Sequence, residues 1–90
     1  MAYFALTYQL NKKKDYPPII EALKNANAHK VVRSFWLLDV NLSTASQVLN
    51  HFKQFIDDED DQMFVSEIES KPSAYRGNKG TQAWIDARFN

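Results

Sequence analysis

The chain contains no cysteine among its 90 residues. This absence excludes disulfide bonds, thiolate metal sites and cysteine nucleophiles, so packing or association with another chain must stabilise the fold. No apolar run approaches the roughly 18 residues of a membrane-spanning helix, and the chain opens on a strand-like pattern rather than a signal sequence. We therefore expect a cytoplasmic protein with no membrane partner.

The chain also has no net charge, which excludes a uniformly basic nucleic-acid-binding protein. The charges are nevertheless segregated. Residues 12–33 hold six basic and two acidic groups, residues 57–69 hold seven acids and no base, and residues 71–88 hold four bases and one acid. A localised basic face is compatible with this pattern, and so is attraction between unlike patches. The acidic run at 57–61 lacks the ligand spacing of a calcium loop, and we interpret it as solvated surface.

Residues 3–11 show the period-two pattern of a β-strand. Large apolar side chains at Phe4, Leu6 and Tyr8 alternate with a second face that becomes polar at Gln9 and Asn11. Because a sheet commonly exposes functional groups where its strands end, we expect any chemistry of this protein to lie there.

The remaining chain alternates helical and strand patterns. Asp15 is a predicted helix N-cap followed by an amphipathic stripe, and Ser43 is the predicted N-cap of a second helix that runs to about residue 56. The stretch 29–40 is rich in strand-forming residues, with either a bulge or a change of strand at Arg33-Ser34. Residues 63–68 are a predicted final strand, 71–80 a surface loop, and 82–90 a tail that docks on its own core or on a partner subunit.

This order predicts an α+β fold, a ferredoxin-like βαββαβ plait with two helices on one face of an antiparallel sheet. Residues 1–70 would form the domain, and 71–90 a C-terminal extension. The other face of the sheet would be uncovered, with Tyr3, Ala5, Thr7 and Trp36 or its neighbours on it, and dimerisation would cover that apolar patch.

Four segments, residues 2–12, 15–23, 33–37 and 41–43, resemble the small CRISPR-associated nuclease-like subunit of the spacer-acquisition complex. They resemble more closely its stand-alone bacterial relatives, often labelled SinR-like. The resemblance extends over about residues 2–68. It implies a homodimer in which an acidic residue at the end of the first strand of each subunit holds magnesium for phosphodiester hydrolysis.

The family's acid is an amide here, because the matching residues are Tyr8-Gln9-Leu10-Asn11. A neutral amide oxygen is a poorer magnesium ligand than a carboxylate. Two Gln9 side chains could instead hydrogen-bond across a dimer axis without the repulsion of two carboxylates, although Gln9 also fits a solvent-facing strand end. Ser34 matches a family serine that could bind phosphate, and it equally fits a hydroxyl bonded to backbone.

The sequence therefore favours a noncatalytic homodimer that binds RNA or DNA or acts as a scaffold, without a metal or cofactor. One alternative is a magnesium-dependent nuclease that recruits Asp15 or Asp39, or a toxin-like ribonuclease. Another is a structural or partner-regulating protein unrelated to nucleic acid. The predicted nucleic-acid contacts are Lys12, Lys13, Lys14, Lys30 and Arg33, and the predicted dimer contacts are Tyr3, Gln9, Trp36, Trp84 and Phe89.

Overall fold

The computed structural model describes residues 2–10, 17–56 and 61–89. Its elements are β1 (Ala2–Gln9), α1 (Pro17–Asn25), β2 (His29–Val32), β3 (Phe35–Val40), α2 (Ala45–Phe52), a 3-10 turn (Lys53–Phe55), β4 (Gln62–Glu67) and α3 (Thr81–Arg88). The strands form one antiparallel sheet in the order β2-β3-β1-β4. This confirms the predicted α+β fold with a ferredoxin-like arrangement. The predicted cap at Asp15 and the acidic run at 57–60 lie outside the described residues.

One face of the sheet packs against α1 and α2. The alternation in β1 turns Phe4, Leu6 and Tyr8 toward these helices, and each of the three side chains is at most 8% exposed. Burial of a large apolar side chain is worth about 1.5–3 kcal/mol, so this layer is the main source of stability. The layer is completed from β3, α1 and α2 by Trp36, Leu38, Ile19, Leu23, Val48 and Phe52.

The Arg33-Ser34 break is a change of strand, the second of the two predicted possibilities. Ser34 has a φ of 58°, which closes the tight turn between β2 and β3. Its carbonyl oxygen accepts hydrogen bonds from Thr7 Oγ1 at 2.8 Å and from the Tyr8 amide at 3.2 Å. The turn is thus fixed against the C-terminal end of β1.

The other face of the sheet is partly covered by the C-terminal tail, which forms α3. Trp84 and Ile85 pack on Val31 and Leu37, and together these four side chains form a second buried cluster. Gly80, with a φ of 95°, begins the helix in the left-handed region that glycine adopts at little cost. Of the two predicted docking places for the tail, its own chain is the one observed.

The prediction of an uncovered face therefore needs two corrections. Its β2–β3–β1 part is covered by α3, and Trp36 points to the opposite, helix-covered layer with 2% exposure. Phe35 and Leu37, the neighbours of Trp36 in β3, lie on the α3 face. The prediction that Trp36 or its neighbours would lie there therefore holds for the neighbours. What stays open is the β1–β4 corner, where Phe64 is 64% exposed.

The second helix begins one residue later than its predicted cap. Thr44, not Ser43, is the N-cap, because only Thr44 has a glutamine three positions ahead that completes a capping box. The Gln47 amide donates to Thr44 Oγ1 at 3.2 Å, and Gln47 Oε1 accepts from the backbone amides of Ser43 and Thr44. The helix also ends earlier than predicted, at Phe52, where the 3-10 turn follows.

This cap gives a first testable prediction. Thr44→Ala should lower the free energy of unfolding by about 1 kcal/mol, because it leaves a first-turn amide without its acceptor. Ser43→Ala is the matched control. It should change the free energy of unfolding by only a few tenths of a kcal/mol, because Ser43 donates to Gln47 Oε1 through its backbone amide and not its side chain. Urea denaturation monitored by circular dichroism measures both. Equal losses in the two variants would contradict the assignment of the cap.

Within the described residues, no helix has the length and apolar character required to cross a membrane.

Candidate functional site

The candidate site lies at the C-terminal end of β1, on the open corner of the sheet. Gln9 is the last residue of β1 and is exposed. Its antiparallel partner in β4 is Gln62, also exposed, and the next pair on the same face is Thr7 with Phe64. A shallow depression of about 250 Å³ is lined by these four residues with Tyr8 and Met63. The corner therefore combines two neutral amides with one exposed aromatic ring.

The β2–β3 turn stands beside this corner. Ser34 is half-buried, and the carbonyl bonds to Thr7 and Tyr8 show that its backbone braces the end of β1. Arg33, the other residue of the turn, is exposed. The structure thus brings three of the sequence-predicted positions, Gln9, Arg33 and Ser34, to one end of the sheet. Asn11 and Lys12 to Lys14, which follow β1 in the chain, lie outside the described residues.

The donor set at Gln9 does not fit a magnesium ion. Gln9 and Gln62 offer amide oxygens, whereas magnesium prefers anionic oxygen ligands in a strict octahedral geometry. Among residues 2–10, 17–56 and 61–89, no group of three or more His, Asp or Glu side chains is placed to hold a metal ion. Asp61, which precedes β4, already has an interaction partner.

Asp15 and Asp39, the acids suggested from the sequence as alternative magnesium ligands, do not provide a carboxylate at Gln9 in the described structure. Asp39 pairs with Tyr3, at the other end of β1 and about 20 Å from Gln9 at a rise of ~3.4 Å per residue. Asp39 Oδ2 is also engaged by Arg88 Nε at 2.9 Å. Asp15 lies outside the described residues. Asp39 is therefore not a ligand for a metal at Gln9.

The five predicted dimer contacts do not form one surface. Tyr3 contacts Trp84 and Phe89 of its own chain, with ring centres 6.2 and 4.8 Å away. Trp36 is buried in the helix-side layer and Trp84 is 8% exposed, so neither presents a side chain to a partner. Gln9 is the one member of the set that lies at the open corner.

The described members of the predicted nucleic-acid set lie on or next to the edge strand β2. Lys30 is exposed, and its Nζ is 5.9 Å from the centre of the Trp36 ring. Arg33 is exposed in the turn that follows. Lys30 and Arg33 are therefore the two described cations of the predicted set, and Lys12, Lys13 and Lys14 lie outside the described residues.

Neither histidine belongs to this site. His29 Nε2 is 2.7 Å from Thr81 Oγ1, and the Thr81 hydroxyl donates its proton to the Asn78 carbonyl, so His29 is the donor to Thr81. Partial burial, with a further contribution from the Arg88 charge, lowers the pKa of His29 below its ordinary value of about 6.5. His51 is exposed and packs on the rings of Phe52 and Phe55. Through its bond to Thr81, His29 of β2 holds the first residue of α3 against the sheet.

Two residues of the corner, Gln62 and Phe64, were not singled out from the sequence. The run Met63-Phe64-Val65 is apolar throughout, so it does not show which side chains face outward. The pairing of β4 with β1 decides this, because it places Phe64 beside Thr7 on the open face.

No family model matches the chain.

Proposed function

We propose that the protein is a noncatalytic homodimer that binds nucleic acid or acts as a scaffold, and that it is a relative of the CRISPR-associated nuclease-like subunit whose metal site is lost. The observation that carries this proposal is the amide of Gln9, which lies opposite Gln62 at the open end of β1 where the resemblance expects a carboxylate. The change removes the charge that would attract a metal and keeps a group that forms hydrogen bonds.

The open corner has the composition of a self-association surface. Phe64 is 64% exposed and is surrounded by the uncharged polar groups of Thr7, Gln9 and Gln62. Exposed aromatic side chains with a neutral polar rim are enriched in interfaces, and charged residues are depleted there. An amide also carries both a donor and an acceptor, so two Gln9 side chains related by a twofold axis can bond to each other.

Nucleic-acid binding is supported by the placement of the basic groups. Arg33 lies in the turn beside the end of β1, and the lysines at 12–14 begin three residues after the end of β1 in the chain. Lys30 extends the same edge of the sheet. Exposed cations such as Lys30 and Arg33 release counterions when they contact phosphates, which gives salt-dependent affinity for RNA or DNA.

A single variant, Gln9→Asp, tests the proposal by two measurements. The wild-type chain should be a dimer by light scattering and should not cleave RNA or DNA with magnesium. Gln9→Asp should weaken the dimer without magnesium, because two carboxylates would face each other across the axis. Magnesium should restore the dimer, and cleavage should emerge in this variant alone.

Asn50→Asp is the matched control, since it adds the same charge on the exposed side of α2 and should change neither measurement. Magnesium-dependent cleavage by the wild-type chain would establish the nuclease alternative. A wild-type monomer would contradict the dimer. A dimer that binds no nucleic acid at low salt would instead indicate the structural or partner-regulating alternative.

A further inference from the structure

A second basic segment lies against the edge strand β2. Residues 70–85 contain Lys71, Arg76 and Lys79 and no acid, and residues 22–38 likewise contain no acid. The structure joins the two segments through Asn78, whose backbone amide donates to the Val31 carbonyl at 2.7 Å and whose Nδ2 donates to the Lys30 carbonyl at 3.0 Å. We call residues 75–80 the edge loop, because these bonds hold it along the free side of β2.

The edge loop has a fixed position. Thr81 Oγ1 donates to the Asn78 carbonyl at 2.7 Å and accepts from His29, so the loop is bonded to β2 at both its backbone and its C-terminal end. Gly77 packs so closely on Thr81 that a Cβ at position 77 would lie 2.8 Å from Thr81 Oγ1. The backbone that carries Arg76 and Lys79 is therefore held beside the backbone of β2.

An exposed aromatic ring stands at the start of the edge loop. Tyr75 is 81% exposed, and the guanidinium carbon of Arg76 lies 5.0 Å from its ring centre. The cation covers part of the ring while most of it faces solvent. Arg76 has a φ of 55°, in the left-handed region that is strained for a residue with a side chain. The chain thus keeps a strained arginine beside an exposed tyrosine.

The positive charge of this edge is not neutralised within the described part of the chain. Lys71 is paired with Asp86 at 3.1 Å, whereas Arg33, Arg76 and Lys79 have no carboxylate partner among the described residues. A depression of about 300 Å³ opens at the loop and is lined in part by Arg76, Lys79 and Thr81. Such a surface attracts a polyanion.

We propose that the edge loop binds single-stranded nucleic acid: one base stacks on Tyr75, and the flanking phosphates contact Arg76 and Lys79 and continue toward Lys30 and Arg33. Single strands are favoured because an unpaired base offers its face to an aromatic ring, whereas a duplex keeps that face stacked within the helix. This inference rests on the nucleic-acid binding proposed above and assigns it a surface and a ligand class.

The test measures the affinity of the full chain for fluorescein-labelled 12-nucleotide RNA, DNA and the corresponding duplex by anisotropy at several salt concentrations. Tyr75→Ala should weaken single-strand binding about tenfold, while Tyr75→Phe should retain it, because the stacking face survives. Arg76→Gly should weaken binding several-fold and reduce the slope of log affinity against log salt by about 0.7. The melting temperature of Arg76→Gly should be unchanged or higher, since glycine relieves the strain at position 76.

Lys24→Gln is the matched control, because Lys24 is an exposed cation on α1 and should not affect binding. If the wild-type chain binds and Lys30 and Arg33 variants weaken it while Tyr75→Ala and Arg76→Gly do not, the inference falls and the proposed function stands. Duplex binding as tight as single-strand binding would also overturn the inference. A wild-type chain that binds none of the three probes at low salt overturns the nucleic-acid proposal itself.

Discussion

Trp84→Ala should lower the free energy of unfolding by about 3–5 kcal/mol, the cost typical of removing a buried aromatic side chain. Trp84 is 8% exposed, packs edge to face with Tyr3 and lies under the guanidinium of Arg88, whose carbon is 4.2 Å from the ring centre. Its loss opens a cavity between α3 and the sheet and exposes Val31 and Leu37.

Two further variants separate the packing of Trp84 from other effects. The Trp84 Nε1 atom is buried without a hydrogen-bond partner, so Trp84→Phe removes an unsatisfied donor as well as volume and should cost much less than Trp84→Ala. Gln82→Ala, on the exposed side of the same helix, should cost a few tenths of a kcal/mol. Urea denaturation followed by circular dichroism measures all three. A loss below about 1 kcal/mol for Trp84→Ala would show that α3 does not depend on this contact.

The elements that the sequence predicted correctly are those with a local signal. In β1, alternation separates Phe4 and Leu6 from Thr7, and the observed strand buries the predicted face. In α1 and α2, apolar residues recur at helical spacing, and both helices form on one side of the sheet. At the site, the polar end of β1 was enough to place Gln9 at an exposed sheet corner.

The errors arose where nonlocal pairing decides the outcome. The run Phe35-Trp36-Leu37-Leu38 has no polar side to fix which residues face the helices, and the antiparallel register that pairs Trp36 with Leu6 determines it. The tail, with its apolar residues at positions 84, 85 and 89, gave no clear period, and α3 forms because the sheet offers Val31 and Leu37 as a surface to pack on. Gln62 entered the site in the same way, through its register with Gln9.

The second large effect concerns Arg88, which ties α3 to β3. Arg88 Nε donates to Asp39 Oδ2 at 2.9 Å, and Nη1 donates to the Trp84 carbonyl at 3.2 Å. Both partners of the ion pair are about three-quarters buried, with side-chain exposures of 26% and 22%. The other Asp39 oxygen, Oδ1, is buried with no hydrogen-bond partner, so Asp39 depends on Arg88 for compensation.

Arg88→Met should therefore lower the free energy of unfolding by about 2 kcal/mol, because it leaves the Asp39 charge unpaired while methionine keeps much of the packing on Trp84. Adding Asp39→Asn to Arg88→Met should recover part of the loss by removing the uncompensated charge. Urea denaturation of the two single variants and the double variant gives the coupling between these residues. If the losses of the single variants simply add, the ion pair contributes no stability.

Stability should also depend on pH through His29, which is partly buried and lies near the Arg88 charge. Burial first, and then the Arg88 charge, lower the pKa of folded His29 below the value of about 6.5 in the unfolded chain. Between these two pKa values the unfolded chain binds more protons, so the free energy of unfolding should rise with pH up to about 6.5 and fall on acidification. In Arg88→Met the pKa of His29 should move upward and this dependence should become shallower. An NMR titration of the His29 ring in the wild-type chain and in Arg88→Met measures the shift. An unchanged His29 pKa in Arg88→Met would show that the Arg88 charge does not contribute to the shift and that burial alone causes it.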